Sequence, residues 1–97
     1  MNEKDEIFIS ERVAWQEEQT LGYVYVLDVE KNVYYKLQDI AREIWLEICD
    51  KKNSAQICGK IIEKYNLDED TVKTDVSSFV QNLVLKDLIL NYSRNSI

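Results

Sequence analysis

The 97-residue sequence predicts an α+β fold, a three-stranded antiparallel sheet followed by three helices in a winged-helix-like arrangement. Three observations predict it. Residues 13–37 alternate in polarity and are dense in aromatic and β-branched side chains, the period-two signature of strands. Residues 38–86 switch to helical spacing in three stretches separated by short polar turns. The length suits one domain rather than two, so residues 1–97 read as a single unit, with fraying expected at 1–6 and 91–97.

The strands come first. Val13 and Trp15 alternate with polar neighbours in the first strand. The second is Gly22–Val29, with Tyr23, Tyr25, Leu27 and Val29 on one face. Glu30-Lys31-Asn32 is a polar turn, and Asn32 tolerates a positive φ. Val33–Leu37 returns as the third strand, with Val33, Tyr35 and Leu37 on one face and Tyr34 and Lys36 on the other. Short connections make the three an antiparallel meander.

The helices follow. Ile40, Ala41, Ile44, Trp45, Ile48 and Cys49 mark a first helix over about 38–49, which Asp39 can cap. After the turn Asp50-Lys51-Lys52-Asn53, Ser54 is the expected cap of a second helix with an apolar face of Ile57, Cys58, Ile61, Ile62 and Tyr65. Asn66-Leu67-Asp68 breaks it. Asp68 caps a third helix, and Glu69 and Asp70 suit the positive end of its dipole. Its apolar stripe is Val72, Val76, Phe79, Val80 and Leu83. Asp87 terminates it, and Leu88-Ile89-Leu90 is expected to pack back as an extended tail.

Composition bounds the function. There are 12 Lys+Arg against 18 Asp+Glu, a net charge of -6, and an acidic surface repels phosphate backbones. Only residues 31–60, with six basic and four acidic residues, are mildly positive. The absence of histidine removes the commonest general base and zinc ligand, so Ser-His-Asp and Cys-His chemistry is excluded. Cys49 and Cys58, nine apart, form neither a CxxC motif nor a metal set and read as buried thiols. The start MNEKDE is no secretory signal and no apolar run is long enough to span a membrane, so a cytoplasmic location is expected.

The segment from Trp15 to Leu90 resembles the PqqD-like family, the RiPP recognition elements that bind leader peptides of ribosomally made, modified peptides. The matching features are Tyr35-Lys36-Leu37 closing a strand, Ile44-Trp45 in the first helix, the capping hydroxyl of Ser54 and the Tyr65–Asp70 link. The most specific is Asp75-Val76-x-x-Phe79-Val80-x-x-Leu83. Three turns depart from the family pattern: Gln38-Asp39 where Asn or Ser is usual, Asp50-Lys51 in place of Asp-Gly, and Asp87-Leu88 in place of Gly-Leu. Asp is one of the few non-glycine residues that visits the left-handed region.

The resemblance implies that a leader peptide adds as a strand beside the third strand, in a groove walled by the third helix. The third strand of a meander is an edge unless something covers it, and its unpaired backbone groups can then template a guest. The expected peptide-binding residues are Val33, Tyr34, Tyr35, Lys36 and Leu37 on the strand, and Asp75, Val76, Phe79, Asn82, Leu83 and Lys86 on the helix. The Asp75 flank, with Asn82 and Lys86, is assigned to the groove rather than the flank of Lys73, Ser77 and Val84. Asp75 is placed to meet a basic leader residue and Phe79 to shape an apolar pocket. The implied protein is not an enzyme and needs no cofactor or metal. Its partners are a precursor peptide and a leader peptidase, cyclase or radical enzyme, with no nucleic acid and no membrane. Lasso peptides are one such pathway among several. The alternative is a winged-helix DNA-binding regulator, although the candidate recognition helix carries only Lys73 and Lys86 as cations. A homodimer formed by pairing edge strands is also open.

Overall fold

The computed structural model describes residues 6–92. Eight elements occur in the order β1 (Glu6–Ile9), β2 (Val13–Glu18), β3 (Tyr23–Asp28), β4 (Val33–Gln38), α1 (Asp39–Cys49), α2 (Ser54–Tyr65), α3 (Glu69–Leu85) and β5 (Ile89–Tyr92). The expected meander is β2-β3-β4, antiparallel throughout, with Val26 opposite both Trp15 and Tyr35 and Asp28 opposite both Val13 and Val33.

The sheet turns Val24, Val26 and Asp28 inward, all nearly inaccessible, so Tyr23, Tyr25 and Leu27 take the outer face. Alternation fixes which residues share a face, but not which face meets the helices. Against the inner face the helices contribute the core residues Ile44, Trp45, Ile48, Ile57, Ile61, Val72, Val76, Val80 and Leu83. The expected helical stripes largely form the core, with Ile40, Cys49, Ile62 and Phe79 only partly covered at its margin, but Tyr65, expected on the apolar face of α2, is exposed at the end of that helix. Trp45 is fully buried, and half-exposed Trp15 meets it edge-on at 6.4 Å between ring centroids. Cys58 is buried and Cys49 half-buried, and the two are not joined in a disulfide.

A second sheet goes beyond the expected meander. The tail does pack back, but as strand β5, paired with β1 in the register Ile7 to Asn91 and Ile9 to Ile89. Glu6, Asn91 and Tyr92, expected to fray, belong to this pairing. The remaining expected frayed residues, 1–5 and 93–97, lie outside the described residues. Four-residue β1 carries only Ile7 as a buried anchor, too short a run for alternation to announce a strand.

Two helix starts differ from expectation. The α1 cap position is Gln38, which makes no side-chain capping bond, and Asp39 is instead the first helical residue, at φ 56°. The α2 cap is Asn53 rather than Ser54. Asn53 Oδ1 accepts from the Gln56 N–H while Gln56 Oε1 accepts from the Asn53 N–H, closing a capping box. Ser54 is the buried first residue of the helix. Asp68 caps α3 as expected, accepting from the Thr71 N–H at 3.1 Å. Asn32 and Asp87 adopt positive φ. At the α1–α2 turn it is Lys51, φ 62°, and not Asp50 that goes left-handed.

Arg12 ties the far end of the sheet to the end of α3. Its guanidinium lies 3.1 Å from Asp28, 3.5 Å from Glu30 and 3.7 Å from Asp87, and donates to the Lys86 carbonyl at 3.3 Å. Burial alone raises the Asp28 carboxyl. The Lys31 N–H bond and Arg12 outweigh it and hold the group below its ordinary value.

A candidate cleft between the edge strand and the third helix

Strand β4 pairs with β3 on one side and with no described strand on the other, because the tail is taken up by β1. The outer edge of β4 therefore presents unpaired backbone N–H and C=O groups. Beside it, an apolar cavity of about 80 Å³ opens between the sheet and α3. Val26, Tyr35 and Leu37 line it from the sheet, Phe79 and Leu83 from the helix, and Leu88 from the segment after the helix. Asn82 and Lys86 supply its polar members. An apolar cavity of about 150 Å³ holds a benzene ring. About half that volume suits the end of one aliphatic side chain.

Local sequence explains how these groups converge. Tyr35 and Leu37 are two apart on β4 and so face the same way, toward the helices. Phe79, Asn82, Leu83 and Lys86 recur at three- and four-residue intervals and share one side of α3. The Arg12 cluster sets the direction. It joins Asp28, opposite Val33, to Lys86 and Asp87, so the end of α3 lies at the Val33 end of β4. Helix and strand thus run in opposite senses. The Lys86 ammonium lies 5.9 Å over the Tyr35 ring and donates to Asn82 Oδ1 at 2.9 Å.

The site residues read from the sequence divide accordingly. Tyr35, Leu37, Phe79, Asn82, Leu83 and Lys86 gather around the cavity. Val33 is exposed at the end of the strand. Tyr34, 69% exposed, and Lys36 lie on the opposite face of the sheet, where Lys36 sits 4.2 Å over the Tyr23 ring. Val76 is wholly core. Asp75 is exposed, one helical turn before Phe79, and does not line the cavity. Sequence reading missed Val26 and Leu88. Val26 follows from pairing β3 with β4 opposite Tyr35, a register no single strand reveals. Leu88 follows from the left-handed Asp87, which turns the chain back under the helix.

Other depressions are of different character. One of about 340 Å³ is lined by Glu43, Glu47, Lys60, Ile61, Glu63 and Lys64, and there Lys64 donates to Glu43 at 2.6 Å. Burial pushes the Cys49 thiol up to about 12, which keeps it protonated and poorly nucleophilic at neutral pH.

An α+β domain whose sheet leaves an open edge beside its longest helix belongs to a recognisable class. Residues 23–89 match the family described as coenzyme PQQ synthesis protein D (PqqD), and the chain belongs to that family. No curated protein matches the chain. Among solved structures it is similar to TbiB1 in complex with the TbiA(beta) leader peptide. The TM-score is 0.82 at 26% identity, covering 89% of this chain and 98% of that one. It also shares the fold of a lasso peptide synthetase B1 complexed with the leader peptide, with a TM-score of 0.78 at 17% identity, covering 87% of this chain and 96% of that one. Among the described residues no helix is long and apolar enough to cross a membrane.

Proposed function

We propose that this chain is a non-catalytic, cytoplasmic leader-peptide binder acting as one folded unit. It captures the leader of a ribosomally made precursor by strand addition to β4 and delivers the rest of the precursor to a modifying or leader-removing enzyme. The enzyme class is a leader peptidase, cyclase or radical enzyme. One observation carries the reading: among the described residues β4 has an unpaired edge, and the apolar cavity beside it is walled by α3. Main-chain bonds along the edge supply affinity, and the alternate side chains of the guest that face α3 supply selectivity. Membership of the PqqD family and similarity to a protein solved with a leader peptide support it.

In this reading Tyr35, Leu37, Phe79 and Leu83 hold an apolar leader side chain, and Asn82 and Lys86 meet its polar neighbours. Asp75 faces a basic leader residue one turn further along. Tyr34 and Lys36 accompany guest side chains on the outer face, and Val33 and Val76 frame the strand end and the groove floor. The DNA-binding alternative gains nothing from this geometry, since Lys73 on α3 is paired with Glu69 at 3.2 Å. Isothermal titration with the leader segment of the cognate precursor tests the reading. Saturable binding at micromolar concentration is expected. A folded protein that releases no heat at tens of micromolar refutes it.

A further inference from the structure

The geometry points to Lys86 as the specificity-determining residue of the cleft. It selects a guest strand in which an aliphatic residue is followed two positions later by Asp or Glu. This rests on the strand-addition reading and adds to it the chemistry of the guest.

Among the described residues, Lys86 is the only charged side chain lining the apolar cavity. Arg12, Arg42, Lys52, Lys64 and Lys73 all pair with carboxylates. Lys86 pairs with none among the described residues, and its ammonium is held by a neutral amide and an aromatic face. The nearest carboxylate in sequence, Asp87, is turned toward Arg12. The Lys86 side chain is partly covered while its ammonium sits at the exposed mouth of the cavity, with no carboxylate beside it among the described residues, a position a guest carboxylate completes.

Two competing effects decide the outcome. The protein carries a net charge of -6, which repels an acidic guest at long range. That field is screened over about 8 Å at physiological salt, whereas a contact pair is screened much less. Lys86 is also the C-terminal cap of α3, where the helix dipole places partial negative charge. Without the lysine this end of the cleft disfavours a carboxylate, so removing it both deletes an attraction and uncovers a repulsion.

Spacing follows from strand geometry. Every strand pair described here is antiparallel, and antiparallel pairing is the more stable per residue. An antiparallel guest enters at the Leu37 end and leaves at the Val33 end, where Lys86 lies. Its residues i and i+2 both face α3 and stand roughly 7 Å apart. With residue i in the cavity, residue i+2 reaches the ammonium.

A random 12-residue display library panned against the whole chain tests this whatever the sequence of the natural precursor. Aliphatic-x-Asp/Glu should be enriched on the native protein and replaced by aliphatic-x-Lys/Arg on Lys86→Glu. A selected peptide should bind roughly fivefold more weakly to Lys86→Gln, and its own Glu→Gln analogue should not distinguish the two proteins. Circular dichroism of each variant keeps misfolding from passing as lost binding. Binders enriched without an acid at i+2, or indifferent to Lys86, overturn the assignment while leaving strand addition standing. Failure to recover any binder overturns both.

Discussion

Filling the cavity should separate stability from binding. Val26 is fully buried and lines the cavity, so Val26→Ile adds one methylene-sized group to a space of about 80 Å³. Burying that group is worth about 0.8 kcal/mol. Forcing it into an already filled core costs about 1–3 kcal/mol. If the cavity is open as described, the first effect wins and the variant is as stable as the native protein or up to ~1 kcal/mol more so. For a domain of this size that is a rise of up to about 4–8 °C in Tm. Binding moves the other way, because the aliphatic anchor of the guest loses the same room. A deficit of about 0.8 kcal/mol corresponds to roughly fourfold weaker affinity. Thermal and urea denaturation followed by circular dichroism give the first quantity, and titration with the leader peptide gives the second. A variant destabilised by more than about 1 kcal/mol is overpacked, which means the space is not there. A variant of native stability that binds the leader normally shows that the anchor does not sit between β4 and α3.

Three further outcomes follow from particular contacts. Asn53→Ala removes the α2 capping box and should cost about 1 kcal/mol in urea denaturation, whereas Ser54→Gly should leave that cap intact. Asp28→Asn should flatten the acid limb of stability. The native carboxyl titrates below its ordinary 3.8, so its contribution is present above about pH 4 and is lost as pH falls through the lowered value. Urea midpoints measured from pH 6 to 2 check this, and an unchanged acid slope in the variant contradicts it. Neighbouring residues on an edge strand point their N–H groups in opposite directions. Of Tyr34→Pro and Tyr35→Pro, one should disturb the β3–β4 ladder, and the other should stay folded yet lose leader binding. Normal leader binding by both rules out β4 as the docking strand.

The sequence alone determined the features whose cause is local. The helical stripe from Val72 to Leu83 is legible because a helix repeats its contacts every three or four residues. The meander is legible because short turns join strands of alternating character. The Asp68 cap is equally plain, and so is the run of Phe79, Asn82, Leu83 and Lys86 on one side of the helix that walls the cleft. The α2 cap falls one residue before the expected Ser54 because Asn53 and Ser54 are both good caps, and the choice turns on which backbone reaches Gln56. Tertiary structure decided the rest. Which face of β3 is buried, whether the tail seals β4 or pairs with β1, and that Val26 and Leu88 complete the cavity all depend on segments far apart in the chain. Such pairings are settled by the total burial of the folded protein, a quantity no short window of residues contains.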